Sequence, residues 1–260
     1  MLKVQDVSFK VRDKVILQHV GFEVLPGEHM AVLGSNGAGK STLLKVLCGE
    51  LQPVTGQVHI LGKALQDWSA AELARFRAVL QQQTALTMPF LVKDVVMMGR
   101  FPHQQARQAS MDERIVTGAL HKTGITHLEN RNYLQLSGGE QQRVHLARVF
   151  AQIWHSPDYD VRYLFMDEPI NSLDIRHQHN ALELAREFAS EGNCVVSVLH
   201  DLNLAAQYAD KILLMKQGKV LAYGTPAEVL EQQTISKAYD YNLRVCYPEG
   251  HRHPVVIPAV

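Results

Sequence analysis

The run Gly34-Ser35-Asn36-Gly37-Ala38-Gly39-Lys40-Ser41 fits the spacing G-x-x-x-x-G-K-[ST], the pattern of a phosphate-cradling P-loop. Its glycines allow turns that aim successive backbone N–H groups inward, and a helix beginning near Lys40 adds its positive end. The Lys40 ammonium then reaches the β and γ phosphates of a nucleotide, while Ser41, with Thr42 beside it, suits Mg²⁺. Far downstream, Asp167 and Glu168 follow the apolar run Tyr163-Leu164-Phe165-Met166. Adjacent carboxylates at a strand end suit two tasks, Asp167 holding Mg²⁺ and Glu168 polarising an attacking water. An Asp-Glu pair is bland alone, and Gly-Lys-Ser occurs by accident in turns; together they describe a site for nucleotide hydrolysis.

Those residues need elements to hold them. Alternation at Leu2, Val4, Val7 and Phe9, then at Val15 to Leu17 and Val20 to Val24, predicts short antiparallel strands broken at Arg12-Asp13 and Pro26-Gly27. Met30 to Leu33 is a buried strand leading into the P-loop, and Leu43, Leu44, Val46 and Leu47 mark the helix that leaves it. This strand-loop-helix unit belongs to an α/β fold. Residues from about 69 to 153 read as mostly helical, with Ser110 to Glu113 as a capping box and Gly124 as a terminator. Tyr163 to Met166 and Cys194 to Leu199 return to buried strands, each ending at titratable residues, Asp167-Glu168 and His200-Asp201. Functional groups gather at such strand ends in an open α/β sheet. A hairpin around Lys216-Gln217-Gly218-Lys219 and the cap Thr225-Pro226-Ala227-Glu228 close the core. The tail from about Glu231, with His251 and His253 near its end, gives little to read.

Leu136-Ser137-Gly138-Gly139-Glu140-Gln141-Gln142-Arg143 fits neither mid-helix nor strand, because adjacent glycines are costly in both. It suits a helix start, with Ser137 as cap, Glu140 three residues on, and Val144, Ala147, Ala151 and Trp154 continuing the face. The Ser137 hydroxyl and the glycine N–H groups form a second anion site. One nucleotide needs a single P-loop, so this second phosphate-seeking helix start implies nucleotide bound to another copy, and hence a dimer.

Taken together, the P-loop, the LSGGEQQR run and Met166-Asp167-Glu168-Pro169 resemble the ABC (ATP-binding cassette) ATPase family over nearly the whole chain. The resemblance implies a P-loop NTPase ABC ATPase fold, α/β with an antiparallel β subdomain and a helical subdomain. Within one domain spanning 1–260, residues 1–85 and 151–230 would form the catalytic core with its β subdomain, 86–150 the helical subdomain and 231–260 a C-terminal tail. It further implies ATP and Mg²⁺ as cofactors and a head-to-tail homodimer, each ATP lying between one copy's P-loop and the other's Ser137, Gly138, Gly139 and Glu140. Gln82 would sense Mg²⁺ and the γ-phosphate side, with the register open within Gln81-Gln82-Gln83; Asn171-Ser172-Leu173-Asp174 would cross the dimer seam, and His200 would contact the γ-phosphate. The family often has an adenine-stacking aromatic near Val11; here the residue is aliphatic, which puts strict preference for ATP over GTP in doubt.

Leu86 to Val92 supplies apolar groups after Gln82, suited either to a membrane subunit's cytoplasmic helix or to ordinary packing between subdomains. Met88-Pro89-Phe90 and Val95 to His103 resemble the iron-chelate, haem and cobalamin importer branch, and Ala147 to Trp154 with the short insertion before Tyr163 is similar to haemin importer ATPases. The implied function is a motor for haem import through a separate transmembrane permease dimer, served indirectly by a periplasmic binding protein, with siderophore or cobalamin as alternative cargo. The thirteen histidines are scattered and read as packed or exposed residues.

Bulk properties set outer limits. The chain has 260 residues, 46% of them hydrophobic, which is enough for a sizeable core. Lys+Arg and Asp+Glu are both 26, so no global field favours nucleic acid or an anionic membrane. The longest apolar runs fall far short of the roughly 20 residues of a spanning helix, and the first residues carry no secretory pattern, so residence is expected on the cytoplasmic face of the inner membrane, peripheral through the permease. Cys48, Cys194 and Cys246 lack paired spacing and read as packing residues. An ABC ATPase acting mechanically on DNA or ribosomes would carry a coiled-coil insertion or a second cassette, neither present here. A non-hydrolysing clamp would not need Glu168 or His200.

Overall fold

The structure is a computed structural model that describes residues 1–82, 86–103, 109–155, 158–171, 173–250 and 252–259. Gln83, Ser172 and His251 lie outside the described residues. Two compact units are present, one joining Met1–Trp68 to Arg186–Val260 and the other formed by Ser69–Ala185.

The first unit opens with β1 (Leu2–Val11) and β2 (Lys14–Val24), followed by β3 (His29–Gly34), α1 (Lys40–Leu47), β4 (Thr55–Ile60) and β5 (Lys63–Ala64). Strands order as β2-β1-β4-β5 in an antiparallel sheet. Leu2, Val4 and Val7 are all buried although strict alternation would split them. The register shifts between Val4 and Val7, where Asp6 has φ +52°, so a bulge absorbs the extra residue and returns Val7 to the core face.

In the second unit lie α2 (Ala70–Phe76), β6 (Arg77–Leu80), α3 (Val92–Met97), α4 (Ala109–Lys122), α5 (Gly138–Gln152), β7 (Tyr163–Asp167) and the start of α6 (Ile175–Ser190). Three expectations need correction here. Arg77–Leu80 is a strand within the stretch read as helical: Ala78 and Leu80 are buried, and the segment pairs parallel to β7 from Arg77 opposite Tyr163 to Leu80 opposite Met166. Tertiary pairing overrides local preference in so short a piece. Ser110 is inside α4, which begins at Ala109, and so does not cap it. Trp154 lies beyond the end of α5 and packs across Gly118 of α4, where an added Cβ would come within 2.9 Å of the indole. Gly124 does end α4, at φ +69°, with Ile125 N–H bonded to Leu120 O in a Schellman pattern. Val95, Val96, Ala119, Leu120, Val144 and Ala147 belong to the apolar core that joins α3, α4 and α5.

The chain then completes the first unit with β8 (Cys194–Val198), α7 (Leu202–Tyr208), β9 (Lys211–Lys216), β10 (Lys219–Gly224), α8 (Pro226–Val229), α9 (Gln232–Tyr239), β11 (Leu243–Cys246) and β12 (Val255–Pro258). Its inner strands order as β10-β9-β3-β8, with β3 parallel to both β8 and β9. β3 and β8 are buried throughout, as parallel strands covered on both faces must be. The tail is not featureless. After α9, β11 and β12 pair antiparallel, and Asn203 of α7 clasps the backbone of Val256 through both its amide nitrogen and its carbonyl oxygen. No helix among the described residues is long and apolar enough to cross a membrane.

Candidate active site

On the first unit, buried β3 delivers Gly34 to the mouth of the P-loop. Gly34 has φ +146°, and a Cβ there would lie 2.3 Å from the carbonyl oxygen of Met215, so the close approach of β9 demands glycine. Ala38 is buried, its carbonyl accepting from the N–H of Gly218 at 3.0 Å, while Asn36 and Gly37 form an exposed crest. Lys40 is almost wholly buried and donates to the carbonyls of Gly34 at 2.8 Å and Ser35 at 3.2 Å. Gly39, at φ +100°, is the N-cap of α1 and brings no capping side chain, and the first turn holds no acidic residue. Ser41 and Thr42 follow in that turn, both half-buried. The result is a buried cation beside a helix start whose N-cap residue brings no side chain and whose first turn holds no acid, an arrangement suited to anions.

His200 stands exposed just past β8, and Asp201 caps α7 by accepting from the N–H groups of Asn203 and Leu204 at 2.7 and 3.0 Å. Val11 closes β1 opposite Lys14 and is 54% exposed, with Val15 also exposed nearby on β2.

The second unit gathers the carboxylate end. β7 carries Asp167 to its tip, and Glu168 follows at φ +51°, a strained conformation for a non-glycine residue of the kind that collects at active sites. The Gln82 amide donates to Glu168 Oε2 at 2.5 Å, and the Asn171 amide donates to the same oxygen. Gln142 of α5 donates to the carbonyl of Pro169 at 3.2 Å, tying that helix to the loop after Glu168. Asp174 accepts from the backbone N–H of His177 at 2.9 Å and from its ring at 2.7 Å, so it caps α6; these bonds hold its carboxyl below the ordinary range.

At the start of α5, Ser137 and Glu140 form the expected reciprocal box: Ser137 Oγ accepts from the N–H of Glu140 at 3.3 Å, and Glu140 Oε2 accepts from the N–H of Ser137 at 2.8 Å. The Ser137 hydroxyl also donates to Glu140 at 2.9 Å, and these bonds from Ser137 lower the Glu140 pKa. Gly138 leaves open space where a Cβ would stand.

A family profile described as ABC transporter matches residues 17–171. The chain is 49% identical to the hemin import ATP-binding protein HmuV of Gloeobacter violaceus, over 99% of this chain and 94% of that one. Against HmuV of Pseudomonas aeruginosa it is 43% identical, over 99% of each chain. The chain belongs to the ABC transporter family. Among solved structures it resembles an inward-facing ABC transporter assigned to the metal-chelate type, with TM-score 0.82 and 26% identity over 100% of this chain and 97% of that one. It also resembles a dimeric ATP-binding cassette in a post-hydrolysis state with ADP and Pi, with TM-score 0.74 and 25% identity over 86% and 98%. The fold is that of an ABC ATPase, and the chain is an ATPase of that type.

Within this ABC ATPase several side chains near the site escaped the sequence reading. Asn171 was visible only as part of a loop; its bond to Glu168 depends on the turn in which its N–H meets the Glu168 carbonyl. Gln142 sat unremarked in the LSGGEQQR run. Tyr239 gave no signal, because its hydroxyl meets the N–H of Gly34 from a segment 205 residues away. The apolar run after Gln82 divides: Leu86 and Phe90 pack against the core of the second unit and Val92 is fully buried, whereas Met88 is 61% exposed. Histidines prove structural in two buried cases. His29, pushed down to about 4 by burial, bonds Ser197 at 2.8 Å, and His145 bonds the Tyr133 hydroxyl at 2.7 Å. Among the described residues no group of three or more His, Cys, Asp or Glu is arranged to hold a metal ion. None of the three cysteines is joined in a disulfide, and burial pushes the pKa of the Cys194 thiol up to about 11.

Proposed function

We propose that this ABC ATPase powers haemin import through a separate transmembrane permease, from the cytoplasmic face of the membrane. The observation that carries this reading is near full-length similarity, at 43 to 49% identity, to several proteins named for hemin import. The exposed Met88, beside the packed Leu86 and Phe90, supports the helical stretch 86–150 as the part that meets the permease.

In this reading Lys40 exchanges its bonds to the Gly34 and Ser35 carbonyls for oxygens of the ATP β and γ phosphates, and the positive end of α1 faces the remaining charge. Ser41, Gln82 and Asp167 offer hard oxygen ligands of the kind Mg²⁺ accepts. Mg²⁺, when bound, offsets charge on the phosphate oxygens. Glu168, oriented by the amides of Gln82 and Asn171, accepts a proton from the attacking water. His200 bonds the γ-phosphate. The Ser137 to Glu140 helix start serves ATP held by the second copy of a homodimer. Asp174, fixed at the head of α6, lies in the loop that crosses the seam.

ATP binding favours the closed dimer because the composite sites exist only there, and hydrolysis with phosphate release removes that preference. The permease follows these two states, and a periplasmic binding protein delivers the cargo. The test is ATPase activity in proteoliposomes containing the co-purified permease, with and without a haem-loaded binding protein. Stimulation by haem, absent with cobalamin or a ferric siderophore, is expected. Stimulation only by another chelate would replace the cargo and leave the motor; absence of any membrane partner would overturn the transport reading.

A further inference from the structure

The C-terminal segment makes a direct contact with the P-loop. Tyr239, the last residue of α9, accepts the N–H of Gly34 through its hydroxyl at 3.2 Å. Gly34 is the hinge between β3 and the loop, and its carbonyl on the other side accepts the Lys40 ammonium at 2.8 Å. One residue is therefore gripped on its N–H side by the tail and on its carbonyl side by the cation that reads phosphate. The position of α9 is itself secured. Lys216, at the end of β9, donates to the carbonyl of Lys237 and to the carboxylate of Asp240, which ends α9 at φ +51°. β9 is also the strand paired with Gly34, through Met215. Beyond α9, Asn203 fastens β12 to α7, the helix that begins just after His200. The tail is thus tied to Gly34 at the mouth of the P-loop, to β9 beside β3, and to α7, which starts just after His200.

We propose that Tyr239 is a positioning residue for ATP binding, fixing the first turn of the P-loop so that the order of the C-terminal segment sets nucleotide affinity. The hydroxyl grips an amide that must keep its orientation while Lys40 leaves the Gly34 carbonyl for phosphate. Burial keeps the phenol neutral, its pKa pushed up to about 12, so the contact persists across the working pH range. This inference rests on the reading of residues 34–42 as the ATP site.

Replacing Tyr239 by Phe removes the hydroxyl and keeps the ring. Nucleotide affinity of the purified full chain, and the KM and kcat of the permease complex, distinguish the outcomes. Tyr239→Phe is expected to weaken ATP binding and raise KM about fivefold, the scale of one neutral hydrogen bond, while kcat at saturating ATP changes by less than about twofold. Lys216→Met, which cuts the ties to Lys237 and Asp240, should move KM in the same direction by a smaller factor. Unchanged affinity in Tyr239→Phe, with or without a lower Tm, would reduce Tyr239 to a packing residue and overturn the proposal. Lys40→Ala is the control. If it too binds ATP normally, the P-loop reading itself fails; if it alone loses binding, only the role of the tail fails. Should Tyr239→Phe not fold, amide hydrogen exchange in the wild-type chain decides, with slow exchange at Gly34 expected and exchange at an open-loop rate contradicting the proposal.

Discussion

The starts of α1 and α5 are both glycine-rich, yet they are finished in opposite ways. α1 begins at Gly39 with neither a capping side chain nor a first-turn acid, beside the buried Lys40. α5 begins at Ser137 with a complete box closed by the Glu140 carboxylate. A helix end needs acceptors for its first N–H groups, from its own chain or from a ligand. The α1 start has no cap side chain at Gly39 and carries the Lys40 ammonium; the α5 start satisfies itself and presents Gly138 to open space. The contrast shows that only the α1 start pairs an uncapped entry with a buried cation, while the α5 start closes its own box; the role proposed for the second is toward nucleotide held by another copy.

Mutations can break that comparison at each end. The largest effect is expected for Glu168→Gln, which leaves both helix starts intact: single-turnover hydrolysis should fall at least about a thousandfold, the range of a lost general base, with ATP still bound. Lys40→Ala strikes only the α1 start and should weaken ATP binding about a hundredfold by equilibrium titration, since charge-assisted bonds to phosphate are lost. Glu140→Ala opens the box at α5 and should cost about 1 kcal/mol in denaturant unfolding at pH 7. Bonds from Ser137 hold the Glu140 carboxyl below its ordinary 4.5, so its contribution is complete above about pH 4.5 and is lost as pH falls through the depressed folded-state value. The gap between wild type and variant should therefore close in acid; a gap that widens there would contradict the box. The smallest effect is expected at Val11→Tyr, where an aromatic on the exposed end of β1 should improve ATP affinity about threefold and favour ATP over GTP.

Much of this was legible in the chain because local chemistry dictated it. The P-loop spacing, the Ser137-x-x-Glu140 box and the apolar strand before Asp167 each specify a local structure, and β3, α1, α5 and β7 follow. At 217 and 218 the hairpin turn needs two positive φ values, and Gln217-Gly218 supplies them at +49° and +78°. What stayed hidden depends on partners distant in sequence. β6 is a strand because β7 lies beside it, Trp154 turns away to meet Gly118, and Tyr239 matters through an amide more than two hundred residues earlier. Asp174 was read for the seam loop alone; its capping bonds to the backbone and ring of His177 had no counterpart in that reading.

The central claim, that each ATP lies between the α1 start of one copy and the α5 start of the other, is tested most directly by mixing two defective chains. Lys40→Ala and Ser137→Arg subunits, both also carrying Glu168→Gln, are combined, and ATP retained by the isolated mixed dimer is counted. A shared site predicts one occluded ATP in the mixed dimer and none in either parent, because mixing restores one pairing of intact α1 and intact α5. Mixed dimers that retain none, or Ser137→Arg dimers that retain ATP alone, would contradict it.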